Sequence, residues 1–272
     1  MNGKLIAANI RREIKEEVER LEIKPKFVVI QVGDNVASTV YIAGKRKACL
    51  EVGIDFEHLK FSSKIKEEEL IEEIEELNKN KDVHAILVQL PLPDHINTKV
   101  VNHINPSKDA DGMTSDNLGK LMINENALTS CTPKGIIRLL EEYMVEMKSK
   151  NVVIVGRSNL VGKPLINLFL NEDATVTCCH SKTSDLEEFT KKADILVVAA
   201  GKKHLIKENM VKKGVVVVDV GINKEEGKLY GDVDFYDVYE KCSLITPVPG
   251  GVGPMTVAML LSNVLSCYNK NV

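Results

Sequence analysis

The sequence predicts an α/β fold built on a parallel sheet, and three observations carry that reading. Four branched apolar residues, Val152 to Val155, form a run that is apolar throughout, the pattern of a strand buried on both faces. Gly156 breaks the run, and from about Val161 apolar residues return at helical spacing through Leu165, Leu168 and Phe169. Further apolar runs follow at 174–179, 193–200 and 214–221, separated by polar, helix-compatible segments. Strands alternating with helices at this interval make βαβ units with right-handed crossovers.

The stretch from Asn151 to Pro164 therefore reads as strand, glycine turn and helix. Glycine at 156 lets the chain reverse at the strand's end, and Gly162 lets the incoming helix approach the sheet. Backbone N–H groups at the helix start can then face a pyrophosphate. The spacing is not G-x-G-x-x-G, and taken alone the turn is equally compatible with any tight strand-to-helix connection. In a parallel sheet a ligand binds at the carboxyl ends of the strands. Those ends carry Gly156-Arg157-Ser158, His180-Ser181, Ala200-Gly201 and Gly221-Ile222, a row of small or polar groups. A site for NAD places Asp or Glu after the second strand, whereas this chain has His180-Ser181-Lys182-Thr183 there and Arg157 across the turn. Cationic and hydroxyl donors suit the 2′-phosphate of NADP, although Arg157 taken alone also reads as a solvated turn residue.

The 272 residues allow one large domain or two and are enough to bury a core. Apolar residues make up 44% and charged residues 28%, with a net charge of −3, so nothing points to nucleic acid. The first residues meet charge too early for a secretory signal, and no apolar run reaches the ~18–20 residues that span a bilayer. A cytosolic protein is expected. The six cysteines lack C-x-x-C spacing and the six histidines form no H-E-x-x-H cluster, so reduced thiols and no structural metal are expected.

In chain order, apolar residues three or four apart predict an amphipathic helix over 3–21. Residues 26–32 read as a strand closed by Gly33-Asp34, and 37–52 as a second helix ended by Gly53. On that helix Tyr41 and Lys45 are four apart and share a face, where an aromatic and an amine can stack a flat ring and handle a proton. Most such pairs are surface packing, and Tyr-x-x-x-Lys also occurs in short-chain dehydrogenases. Residues 64–80 form a charged helix with a narrow apolar stripe, and 84–90 a buried strand carrying Gln89. Gln89 reads either as a satisfied structural amide or as a group pointing into a site. Asp111-Gly112 closes a turn cluster that exposes a carboxylate or merely caps the turn, and a helix is predicted over 136–147. Near the end, 245–256 is a proline- and glycine-rich loop with Pro254 placed as a first helical residue, and 255–267 is a helix apolar nearly all round.

Together these pieces resemble one family. Ala-Ser-x-x-Tyr41-x-x-x-Lys45, Leu87-Val-Gln-Leu-Pro-Leu92, Pro-x-Lys-Asp-x-Asp111-Gly112, Cys131-Thr-Pro-x-Gly, Val155-Gly-Arg-Ser-x-x-Val-Gly-Lys-Pro164, Ala174-Thr-Val-Thr-x-Cys-His-Ser-x-Thr183, Gly231-Asp-Val233 and the 246–256 loop are similar to bifunctional methylenetetrahydrofolate dehydrogenase/methenyltetrahydrofolate cyclohydrolase, the FolD family. The match runs nearly end to end. It implies a folate-site domain over 1–119 completed by 254–272, and a Rossmann-type NADP-binding domain over 120–253, with the active site in the cleft. It implies oxidation of 5,10-methylenetetrahydrofolate by NADP+, hydrolysis of the methenyl product to 10-formyltetrahydrofolate, a place in one-carbon metabolism and purine biosynthesis, and a homodimer. No synthetase region follows residue 272, so the third activity of longer relatives is not expected.

Position by position, the resemblance makes Lys45 the catalytic amine, Tyr41 a stacking partner of the folate, Gln89 an assistant to Lys45, and Asp111, with Gly112, the pterin site. Pro249, Gly250 and Gly251 line the folate pocket. Gly156, Arg157, Ser158, His180 and Ser181 hold NADP, with Thr132, Ile222 and Thr256 nearby. Gly44 departs from the family pattern, where a larger residue is usual. A short-chain alcohol dehydrogenase is disfavoured because its dinucleotide turn precedes the Tyr-Lys pair. A non-catalytic nucleotide sensor leaves Lys45, Gln89 and Asp111 without a role.

Overall fold

The computed structural model describes residues 1–271 and divides into two compact units. One comprises Asn9–Thr129 and the chain from Val257 onward; the other comprises Met1–Ala8 and Ser130–Thr256. The divisions fall later than the expected 119/120 and 253/254, and local bonding gives the reason. Leu128 N donates to Asn117 Oδ1 and Asn263 Nδ2 donates to Thr129 O, which keeps 120–129 with the first unit. A Cβ on Gly135 would lie 3.0 Å from that of Met255, so the opening turn of the last helix packs in the second unit. Met1–Ala8 also joins the second unit, where Lys4 N donates to Gly250 O.

In chain order the first unit contains α1 (Gly3–Val18, its leading residues lying in the second unit), β1 (Lys26–Val32), α2 (Val36–Val52), β2 (Asp55–Phe61), α3 (Glu67–Lys79), β3 (Ala85–Val88) and α4 (Ser115–Met122). The strands form a parallel sheet in the order β2-β1-β3. Helix α1 ends short of the expected residue 21, because Arg20 N and Leu21 N bond three residues back and tighten the chain out of the α-helix. β2 was not expected. As an edge strand it is only partly buried, so charged residues interrupt the apolar run that a central strand would show. On one face of β1 and β3, Val28, Ile30, Ile86 and Val88 pack with Leu70 and Ile74 of α3, which confirms the narrow stripe read on that charged helix.

The second unit holds α5 (Cys131–Glu142), β4 (Asn151–Val155), α6 (Gly162–Asn171), β5 (Thr175–Cys179), α7 (Leu186–Thr190), β6 (Ile195–Val198), β7 (Val215–Asp219), the antiparallel pair β8 (Asn223–Glu225) and β9 (Lys228–Tyr230), α8 (Phe235–Val238), β10 (Cys242–Ile245) and the opening of α9 (Val252–Asn271). Five strands form a parallel sheet in the order β10-β7-β6-β4-β5. Val152, Ile154, Ile195, Val197, Val216 and Val218 face one core, and their neighbours Val153, Val155, Leu196, Val198, Val215 and Val217 face the other. Burial on both faces is why these strands read as unbroken apolar runs rather than alternating ones. Helix α5 starts before the expected 136, with Pro133 tolerated in its first turn, and α9 extends the expected 255–267 at both ends. β10 escaped the sequence reading because only Leu244 and Ile245 of its residues are strongly apolar.

Candidate active site

In the first unit, Asn35 caps α2 by accepting from Ser38 N, and the buried stripe Ser38, Ile42, Cys49 and Val52 fixes which face meets the sheet. Lys45 lies along that stripe between Ile42 and Cys49 and is half-buried. Its Nζ donates to Gln89 Oε1 at 2.9 Å. Gln89 follows β3, where its N–H donates to Ile30 O at 2.8 Å and so continues the strand pairing. Its own Nε2 donates to Leu90 O at 2.7 Å, which turns Oε1 toward the ammonium. Burial pushes the Cys49 thiol up to about 12, only partly offset by the charge of Lys45, so this cysteine is no competing nucleophile. Tyr41, one turn toward the helix start, is 57% exposed and offers an open ring face.

Asp111 reaches the same sheet by another route. The chain at 108–110 runs beside β3, with Ile86 N donating to Lys108 O at 2.7 Å and Ala110 N to Ile86 O at 3.1 Å. Ile86 opposite Asp109 in a parallel bridge brings Asp111 out at the carboxyl end of β3, the end that carries Gln89. The loop is anchored residue by residue. Lys108 Nζ donates to the carbonyls of Leu77, Asn78 and Asn80 at the end of α3, and the Asp109 carboxylate accepts from Thr114 N and Asn117 Nδ2. Asn263 of α9, fully buried, donates to Ala110 O at 2.9 Å. Gly112 takes φ of +63°, which fits the expected turn.

In the second unit the glycine turn forms as expected. A Cβ on Gly162 would lie 2.1 Å from Gly156 O, and one on Gly156 would lie 2.3 Å from Ala199 O. No side chain fits either place. Ser158 Oγ accepts from Val161 N at 3.1 Å and Gly162 N at 3.5 Å, so it occupies donors that the sequence reading left open for a pyrophosphate. Gly156, Arg157, His180, Ser181, Thr183 and Lys202 line a cavity of about 440 Å³. Thr183 Oγ1 accepts from His180 N and His180 Nδ1 from Lys182 N, which shapes its far wall. No described lining residue is Asp or Glu, and that donor set fits a phosphate on the adenosine ribose.

A second cavity, about 190 Å³, brings together Ile222, expected near the cofactor, with Pro249, Gly250 and Gly251, expected to line the folate pocket. Thr132 and Thr256 hydrogen-bond each other through their hydroxyls at 2.9 Å. Lys108, Asn263, Lys202 and the buried pair Asp219 and Asp232 are not marked by local sequence pattern, although Asp232 lies within Gly231-Asp-Val233. Among the described residues no group of His, Cys, Asp or Glu is placed to hold a metal ion, and no helix is long and apolar enough to cross a membrane.

A parallel α/β unit whose cationic cavity has no acid in its described lining, and a second parallel sheet whose carboxyl end carries an amide that holds an amine of α2, define a dinucleotide-dependent enzyme. Residues 1–111 match the catalytic-domain model, and 130–272 the NAD(P)-binding-domain model, of tetrahydrofolate dehydrogenase/cyclohydrolase. The chain belongs to the tetrahydrofolate dehydrogenase/cyclohydrolase family. The bifunctional protein FolD of Methanosarcina mazei is 53% identical over 276 residues, covering 100% of this chain and 96% of that protein. The crystal structure of the bifunctional FolD enzyme of Campylobacter jejuni superposes with a TM-score of 0.97 at 47% identity, covering 99% of this chain and 98% of that one. The Trypanosoma brucei enzyme, solved with NADP cofactor and inhibitor, gives a TM-score of 0.94 at 37% identity over 99% and 97% of the two chains.

Proposed function

We propose that this chain oxidises 5,10-methylenetetrahydrofolate with NADP+ and hydrolyses the resulting methenyl form to 10-formyltetrahydrofolate. We assign the folate chemistry to the unit Asn9–Thr129 and the nucleotide to Ser130–Thr256. The observation that carries the reading is the 2.9 Å bond from Lys45 Nζ to Gln89 Oε1 on a sheet edge that also presents Asp111. NADP, when bound, supplies the hydride acceptor. Arg157 and Ser181 meet its 2′-phosphate, Gly156 gives the pyrophosphate its close approach, and Ile222, Thr132 and Thr256 flank the remainder.

On the folate side, Asp111 accepts hydrogen bonds from the amino-pyrimidine edge of the pterin, and Tyr41 stacks on the flat ring. Oxidation needs position more than proton transfer, because the product cation is stabilised by the folate's own nitrogens. Hydrolysis needs a proton carrier. Water attacks the methenyl carbon and loses one proton to give a neutral hydroxyl adduct, the bond from that carbon to the ring nitrogen N5 breaks as N5 gains a proton, and the hydroxyl proton is released as the formyl C=O forms on N10. Lys45 is the group in reach for that exchange, and Gln89 keeps its amine oriented.

A homodimer and a cytoplasmic location accompany this reading, supported by the family resemblance and by six free cysteines. Sedimentation of the purified chain checks the first. One spectrophotometric assay tests the activity. Methylenetetrahydrofolate is supplied with each nicotinamide nucleotide, and near-ultraviolet absorbance separates reduced cofactor from the methenyl intermediate and its decay. Absence of a methenyl signal with either cofactor would refute the proposal.

A further inference from the structure

Two adjacent lysines follow β6, and the fold treats them differently. Lys203 Nζ bonds Glu225 and lies 3.8 Å from the centre of the Tyr230 ring, so its charge is matched locally. Lys202 forms no ion pair within 4 Å among the described residues, and it lines the 440 Å³ cavity that holds Arg157, His180 and Ser181. That cavity thus has two permanent cations and no carboxylate in its described lining.

The backbone beneath Lys202 is fixed from below. Asp232, fully buried, accepts from Ala200 N at 2.6 Å and Gly201 N at 2.8 Å through Oδ2, and from Lys202 N and Asn223 Nδ2, both at 2.8 Å, through Oδ1. A Cβ on Gly221 would stand 2.4 Å from this carboxylate, so glycine there leaves the room it needs. The side chain of Lys202 consequently leaves a held loop at the cavity wall, and only its flexible stem must order when an anion arrives.

We infer that Lys202 is a second specificity-determining cation for the 2′-phosphate of NADP, sharing that group with Arg157; the inference rests on the proposed NADP site. The division of labour follows from side-chain chemistry. Arg157 offers a planar fork that meets phosphate oxygens in pairs, and Lys202 adds a mobile point charge that neutralises the second negative charge of the phosphate. NAD presents a hydroxyl at that position and gains nothing from it.

The test titrates the full-length chain, its Lys202→Ala and Lys202→Arg variants and an Arg157→Ala variant with two probes, adenosine 2′,5′-bisphosphate and adenosine 5′-monophosphate. Lys202 is exposed, so alanine there leaves the fold intact. Lys202→Ala should weaken the bisphosphate ~5- to 10-fold, as expected for a partly screened charge pair, and change the monophosphate less than ~2-fold. Lys202→Arg should restore most of the loss, and added salt should shrink the difference between Ala and Lys. Equal weakening of both probes, or no weakening of either, overturns the inference. The Arg157→Ala arm separates the two levels of failure. If it abolishes discrimination while Lys202→Ala does not, only the role of Lys202 is wrong. If neither variant alters discrimination, the cavity is not the 2′-phosphate site and the cofactor assignment falls with it.

Discussion

Replacing Lys45 by glutamine separates the two proposed chemistries, and the structure limits what else the change does. The bond from Lys45 Nζ to Gln89 Oε1 is a charge-assisted contact of about 1.5–3 kcal/mol that glutamine partly replaces through its own amide N–H. The site is half-buried and the buried stripe on either side, Ile42 and Cys49, is untouched, so unfolding free energy should change by less than ~1 kcal/mol. What glutamine lacks is a proton that leaves and returns. General acid–base assistance is worth ~10²-fold or more, which is ~2.7 kcal/mol of barrier. Cyclohydrolase activity should fall by that factor while dehydrogenase activity survives in part, and the methenyl intermediate should accumulate. Stopped-flow absorbance follows both phases in one trace. Equal loss of the two steps with folate binding intact would mean that Lys45 serves hydride transfer itself, and the assignment to hydrolysis would be refuted.

The other expectations are narrower. Asp111→Asn replaces an acceptor by a donor at one oxygen and should damage both reactions together through folate affinity, by ~10-fold or more; fluorescence titration with folate checks it, and parent-like binding reduces Asp111 to a turn residue. Arg157→Ala should raise KM for NADP ~10-fold or more and leave NAD nearly unchanged, so equal losses with both cofactors would sink the 2′-phosphate assignment. Gly44→Ala should stabilise α2 by up to ~1 kcal/mol in urea melts, because an added methyl meets nothing within 4 Å and glycine is costly inside a helix. Burial, opposed by three backbone N–H bonds and reinforced by the neighbouring Asp232 charge, pushes the Asp219 carboxyl up to about 6. A folded pKa above the unfolded one of ~3.9 means that this group's contribution to stability is full at low pH and is lost as pH rises through about 6. Carboxyl titration by NMR checks the value, and an ordinary pKa at Asp219 would remove the effect.

The parallel sheet of the second unit was legible because its strands are buried on both faces, and continuous apolar runs are a local signal. The glycine turn was legible for a related reason: Gly156 and Gly162 are required by close backbone approaches that a glycine pair after a strand announces. β2 and β10 were not legible. Each is an edge strand with polar residues among its apolar ones, so its identity depends on the neighbour it pairs with rather than on its own residues. The site divided along the same line. Tyr41 and Lys45 share one helix face, a relation within four residues, and Gln89 was readable as a polar residue ending an apolar strand. The Asp111 loop is held by Asn263, 153 residues from the carbonyl it binds, and nothing local marks that asparagine among the apolar residues of α9. The bond from Val161 N to the Ser158 hydroxyl, a three-residue return at the start of α6, is local but carries no residue pattern that announces it.

Apart from the exposed Lys202, the residues that sequence reasoning missed share one character: they are buried polar groups whose bonds go mainly to backbone. Taking the Asp232 carboxylate out of water costs several kcal/mol. Its four N–H donors, at about 1.5–3 kcal/mol each for bonds to a charged group, return a sum of the same order. The net contribution to stability is therefore small, and apolar packing would fill the space as well. What apolar packing cannot do is fix three consecutive amides, those of Ala200, Gly201 and Lys202, in one orientation at the mouth of the nucleotide cavity. Lys108, Asp109 and Asn263 do the same for the loop that ends in Asp111, each binding backbone or the loop's own polar groups. In the proposed function, both units thus place a ligand-binding charge on a segment whose backbone is already held before the ligand arrives, so little ordering entropy is left to lose on binding.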